Sequence, residues 1–333
     1  MKTKRSATCR RWPGVALLLF AIVSTTTAWA TPPSRERVVS DALFRCDGAV
    51  PRADGVVTVS TTLAGVPALV RVPRHVDKSP IILWHGFGPP ADEAALMRAL
   101  PLDQVAAIKV YLGLPLFGKR MPPGGHKELA RRQAEDFAML LFKPAVVGAA
   151  DELPAVVAAL RQRGCLAPGQ PVGLMGFSAG GAAALVALIQ GKVAISAAAI
   201  VNASTGLNAS VEALERVTRQ PYAWTPEARA LAERTDAVRH AAQIARGEPP
   251  TAVLIVQGGH DAVLGSRTAL ALDHALRRYY HEEGNGARLK LMLVPEMPHG
   301  WASDQHDTAR VSRAIGDWFD EYLIKRIKGS KGD

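Results

Sequence analysis

From about residue 66 onward the chain alternates short apolar runs with longer stretches of helical periodicity, which points to βαβ units around a mostly parallel sheet. Strands are expected over residues 68–72, 81–84, 106–112, 172–175, 194–201, 252–257 and 289–294. Several of these runs are apolar on both faces, as strands covered by helices on each side must be. Between them, Asp151 is placed to cap a helix whose Val156, Val157 and Leu160 share one face and which ends near Gly164. Another helix is expected over 182–190, and Val311, Ile315, Trp318, Phe319 and Tyr322 mark the inner stripe of a last one.

One stretch breaks the alternation. Residues 204–250 contain no strand candidate but hold Pro221, Trp224, Pro226 and an Ala/Arg/Glu-rich run, and are read as a helical insertion, a lid, before the strand at 252–257. Residues 31–65 are less regular, and an extra antiparallel strand or two fits there. Residues 31–333 are therefore expected to form a single α/β domain. A hydrophobic share of 48% and a charged share of 21% over 333 residues exclude a disordered or collagen-like chain, and three cysteines are too few for a disulfide scaffold.

The formal charge of +10 suggests a polyanion partner until its location is considered. Lys2, Lys4, Arg5, Arg10 and Arg11 precede residue 31 with no acidic residue among them, and setting them aside leaves 35 basic against 30 acidic residues. So small and scattered a surplus argues against nucleic acid as a partner. Those basic residues begin a leader in which residues 15–23 are apolar and Ala28-Trp29-Ala30 offers small residues where a signal peptidase reads. An uncleaved anchor needs about 20 apolar residues, whereas this run is interrupted by Ser24, Thr25, Thr26 and Thr27. Residues 1–30 are thus expected to be a signal peptide, cleaved after Ala30, that leaves no stable membrane anchor and sends the protein to the periplasm or outside. The remaining Cys46 and Cys165 can make one disulfide in such a compartment, with buried free thiols as the alternative.

Gly176-Phe177-Ser178-Ala179-Gly180 is a G-x-S-x-G sequence between the expected strand at 172–175 and a small-residue helix. A nucleophile on a sharp strand-to-helix turn needs glycines where a Cβ would clash, and the turn aims the helix N-terminus, with the Ala179 N–H, at an oxyanion. A serine hydroxyl also requires a general base and a group to orient that base. His299 lies in the compact Met297-Pro298-His299-Gly300-Trp301 loop after the expected strand at 289–294, while His75, His126, His240, His274, His281 and His306 sit in charged or helical surroundings. Asp261 follows the strand at 252–257 through Gly258-Gly259-His260; Asp304 and Asp307 are rival acids better placed to cap the last helix. The strand at 81–84 runs into His85-Gly86-Phe87-Gly88, which makes the Phe87 N–H the candidate second oxyanion donor and His85 a residue that holds the loop. Trp301 is expected beside the substrate.

With these four motifs in the order Ser178, Asp261, His299, the chain resembles the α/β-hydrolase superfamily over about residues 66–325. It is most similar to the dienelactone-hydrolase and prolyl-oligopeptidase-like branch, where the elbow often reads G-x-S-x-G-G, as Gly181 continues it here. Dienelactone hydrolases carry cysteine as nucleophile, whereas position 178 is serine. The resemblance implies a mostly parallel central sheet flanked by helices and a serine hydrolase that needs no cofactor; no metal-ligand spacing is found either. The expected reaction is cleavage of a small carboxylic ester through an acyl-enzyme. A peptidase or amidase of the same fold is the alternative, and a non-catalytic binding protein on the hydrolase scaffold a third reading.

Overall fold

The computed structural model describes residues 38–39, 44–46, 55–282 and 284–325. The expected signal peptide at 1–30 lies outside them. In chain order the strands are β1 (Val38–Val39), β2 (Val56–Leu63), β3 (Val66–Pro73), β4 (Ile81–Trp84), β5 (Lys109–Leu112), β6 (Val172–Phe177), β7 (Ile195–Val201), β8 (Ala252–His260) and β9 (Leu289–Pro298). They form one sheet in the order β1-β2-β3-β5-β4-β6-β7-β8-β9. β3 pairs antiparallel with both β2 and β5, and every other pairing is parallel. The room left at residues 31–65 is thus filled by β2, antiparallel to β3 along its whole length, and by the short β1, which is parallel to β2.

The helices are α1 (Glu93–Ala99), α2 (Gly125–Asp136), α3 (Gly148–Gln162), α4 (Ala179–Gln190), α5 (Leu207–Thr218), α6 (Pro226–Thr235), α7 (Ala241–Ile244), α8 (Arg267–Glu282) and α9 (Gln305–Tyr322). They cover both faces of the sheet, so the central strands are buried throughout: every residue of β4, β5 and β6 is inaccessible to solvent or nearly so. On one face Val311, Ile315, Trp318 and Phe319 of α9 join Leu96 and Met97 of α1 over Ile81, Leu83, Met175 and Phe177. On the other, α3 and α4 pack on Ile82, Trp84, Val172 and Leu174.

The helix before β6 differs from expectation. Asp151 does not cap it: Phe137–Val147 forms a π-helical segment that joins α2 to α3, and Asp151 lies inside α3. The apolar run through Phe137, Leu141, Phe142, Ala145 and Val146 keeps a face buried upstream of Asp151, so the helix extends backwards. Pro144 sits in this segment, where a wider turn accommodates a residue without an N–H. The Asp151 carboxylate accepts hydrogen bonds from Gln190 and Lys192 at the surface instead. Residues 204–250 carry α5, α6 and α7 and no strand. Their middle is fastened to the end of α2, where the π segment begins, with the Tyr222 hydroxyl donating to Asp136 at 2.5 Å.

Cys46 and Cys165 are joined by a disulfide, with Cα atoms 4.8 Å apart. The Cys46 N–H also donates to the Arg163 carbonyl at 2.8 Å.

Candidate active site

Three loops at the C-terminal ends of parallel strands meet at one edge of the sheet, where open α/β sheets place ligands. The first is the turn from β6 into α4. Ser178 has φ 53° and ψ −116°, a conformation that L-residues seldom adopt. The turn closes because its neighbours are glycines: a Cβ on Gly176 would stand 2.2 Å from the Gly180 carbonyl oxygen, and one on Gly180 would stand 2.4 Å from that of His85. Ala179 is the first residue of α4, and its N–H is one of the four at a helix start that have no partner within the helix.

His299 follows β9, and its Nε2 lies 3.0 Å from Ser178 Oγ. Its Nδ1 lies 2.9 Å from Asp261 Oδ2. A carboxylate only accepts, so Nδ1 carries the proton in the neutral imidazole and Nε2 is free to accept from the serine hydroxyl. Asp261 follows β8 and is nearly buried. Its Oδ1 accepts from the N–H groups of Val263 and Leu264, at 2.9 Å each, and its Oδ2 from Gln257 Nε2 at 3.1 Å. Burial alone would push this carboxyl up. The hydrogen bond and charge of His299, the Leu264 N–H and the Gln257 amide outweigh burial and hold it below the usual carboxylate range.

The loop after β4 completes the surroundings. A Cβ on Gly86 would meet the Phe177 ring at 2.9 Å and Ser178 Cβ at 3.0 Å, so this loop runs against the nucleophile and the Phe87 amide follows directly. The Phe87 ring stacks on Phe117, with centroids 4.6 Å apart. His85 has the holding role expected of it: Nδ1 donates to the Gly86 carbonyl at 2.7 Å and Nε2 accepts from the Leu114 N–H at 3.0 Å. Burial pushes its pKa down to about 4, so it stays neutral and keeps that pattern.

The structure therefore brings Ser178, His299 and Asp261 together, with Ala179 next to the serine in the chain and the loop that carries Phe87 running against it at Gly86. Trp301 is a correction. Expected beside the substrate, it is 0% exposed and packs edge-on against Phe177, at 6.1 Å between centroids, in the core beneath the His299 loop. A side chain with no exposed surface offers a substrate nothing. Asp304 caps α9 by accepting from the Asp307 N–H, as expected of a rival acid with another task.

Two side chains that sequence reasoning passed over support these loops. Arg216 of α5 donates to the carbonyls of Val263 and Leu264 in the acid loop. Asn202, fully buried at the end of β7, accepts from the Gly258 N–H at 2.7 Å and donates to the carbonyls of Pro298 and His299 at 3.0 and 2.9 Å. Its φ of 42° suits asparagine, which tolerates the left-handed region. The available signal was a lone amide at the end of an apolar strand, one strand along from Ser178. Asn202→Asp keeps the size and the acceptor but turns lone pairs on two carbonyls. We expect labelling of Ser178 by a fluorophosphonate probe to slow about 10–100-fold, the cost of a displacement near 1 Å. Labelling at the native rate would show that the tether does not position His299.

Fold and site together define a serine hydrolase of the α/β-hydrolase fold. The chain belongs to the prolyl oligopeptidase family, whose model matches residues 144–326, a span that includes Ser178, Asp261 and His299. Among solved structures, TT1662 from Thermus thermophilus superposes with a TM-score of 0.60 at 19% identity, over 80% of this chain and 97% of that one. The esterase Pf2001 of Pyrococcus furiosus does so with a TM-score of 0.54 at 12% identity, over 80% and 90% of the two chains. An esterase/lipase from an uncultured bacterium gives a TM-score of 0.51 at 20% identity, over 82% and 87%. At these identities the likeness carries the fold alone. No curated protein matches this sequence.

Proposed function

We propose that this protein is an exported serine esterase. The observation that carries the reading is the continuous hydrogen-bonded line from Ser178 Oγ through His299 to Asp261, at 3.0 and 2.9 Å. Ser178 Oγ attacks the acyl carbonyl while His299 Nε2 takes its proton, and Asp261 holds the imidazole in that tautomer and stabilises the imidazolium. The Ala179 and Phe87 N–H groups stabilise the oxyanion, at about 3 kcal/mol per donor. His299 returns the proton to the leaving alcohol, and water then resolves the acyl-enzyme with His299 again as base.

Solved structures of similar fold that are esterases favour a carboxylic ester as substrate. The prolyl oligopeptidase family match favours a second reading, cleavage of an amide by the same groups. The hold of Arg216 on the acid loop supports 204–250 as a lid that shapes the pocket. Export with cleavage after Ala30 fits the Cys46–Cys165 bridge, since disulfides persist in oxidising compartments.

Hydrolysis of p-nitrophenyl esters from acetate to palmitate, beside aminoacyl p-nitroanilides, tests the assignment. Turnover of the esters and not of the anilides is expected, with the chain-length optimum giving the reach of the acyl pocket. Turnover confined to the anilides would establish the peptidase reading instead.

A further inference from the structure

Gln257 lies on β8, four residues before Asp261, and is fully buried. Its Nε2 donates to Asp261 Oδ2, the oxygen that also faces His299 Nδ1, and to the Gly258 carbonyl, both at 3.1 Å. Its Oε1 is buried and has no partner. A half-satisfied buried amide is costlier than an aliphatic side chain of similar length, so a packing role alone does not account for glutamine here. Turning the amide over would aim its oxygen at a carboxylate and a carbonyl, so the two donor contacts fix its orientation.

The charged groups around the acid loop are otherwise occupied. Arg216 of α5 is spent on the Val263 and Leu264 carbonyls, Arg267 of α8 pairs with Glu212 of α5 at the surface, and His260 of β8 pairs with Glu296 of β9 where both are exposed. The Val263 and Leu264 N–H groups serve Oδ1. Among the described contacts, Oδ2 is shared between His299 and Gln257.

We propose that Gln257 is a positioning residue of the triad, its amide holding the Asp261 oxygen that faces His299 and moderating the pull of that carboxylate on the imidazole. The inference rests on Ser178, His299 and Asp261 working as a triad. A donor on Oδ2 takes up part of the carboxylate's charge. Without it, more of that charge acts on the ring, the imidazolium is favoured, and a higher pH is needed to free Nε2 as base.

The test is the pH dependence of kcat/KM on p-nitrophenyl acetate, and of fluorophosphonate labelling, in Gln257→Met and Gln257→Leu. Neither replacement can donate, and Met keeps nearly the same length. The acid limb is expected to move up by about 0.5–1 pH unit in both, with KM little changed. A midpoint reports only folded molecules, so partial unfolding lowers the amplitude and leaves the limb in place. Acid limbs coinciding with that of the native protein would overturn the inference while leaving the triad intact. A native protein that the probe does not label would overturn the triad reading itself, and this inference with it.

Discussion

Ser178→Ala is expected to lower kcat on the best p-nitrophenyl ester by roughly 10⁵-fold or more, the scale of loss when a serine nucleophile is removed from such a triad. The size follows from the geometry. Oγ is the nucleophile of the line, with His299 Nε2 placed 3.0 Å away to take its proton, and without it the base can only recruit a water that nothing holds in place. The Ala179 and Phe87 amides would remain, so a residual rate above that in water is expected from polarisation of the carbonyl alone. Folding should be almost untouched. Alanine keeps the Cβ and so keeps the φ of 53° with whatever strain it carries, and the variant should melt within a degree or two of the native protein. Steady-state kinetics with a thermal melt checks both halves. Turnover within tenfold of native in a folded variant would remove Ser178 from the chemistry.

The candidate triad residues were legible because each stands immediately after a strand that the apolar pattern already marked. Ser178 follows β6, Asp261 follows β8 and His299 follows β9, and parallel strands deliver their C-terminal ends to one edge. Sequence proximity did not give side-chain direction, however. Trp301 is two residues from His299, yet its indole turns into the core while the imidazole faces the serine. The supporting contacts of Asn202 and Gln257 were illegible for a related reason. Asn202 reaches Gly258 and His299 across strand spacings, and Gln257 reaches Asp261 past the break in register between Gly258 and His260, so the sequence marks a buried amide in each case but not its partners. Asp151 misled because a capping residue type is a weak guide when the apolar face continues upstream of it, here through the π segment to Phe137.

The cysteine pair shows the same limit at longer range, since two cysteines 119 residues apart give no local sign of their distance in space. Joining them stabilises the fold by restricting the unfolded chain. The bridge fastens the segment ahead of β2 to the end of α3, where the Cys46 N–H already bonds the Arg163 carbonyl. Closing a loop of that length removes about 4–5 kcal/mol of chain entropy from the unfolded state, although measured gains more often fall near 2–4 kcal/mol. The Cys46→Ala/Cys165→Ala double variant should therefore lose about 2–5 kcal/mol, a fall in Tm on the order of 3–8 °C for a domain of this size. Activity at 25 °C should survive. Cys165 precedes the start of β6 and Ser178 follows its end, so the bridge and the triad lie at opposite edges of the sheet. Reductant should reproduce the drop in the native protein and leave the double variant unmoved, which separates the covalent link from the lost packing of two buried sulfurs. Equal melting temperatures with and without reductant, together with two titratable thiols in the untreated native protein, would show that the pair is not bonded in solution.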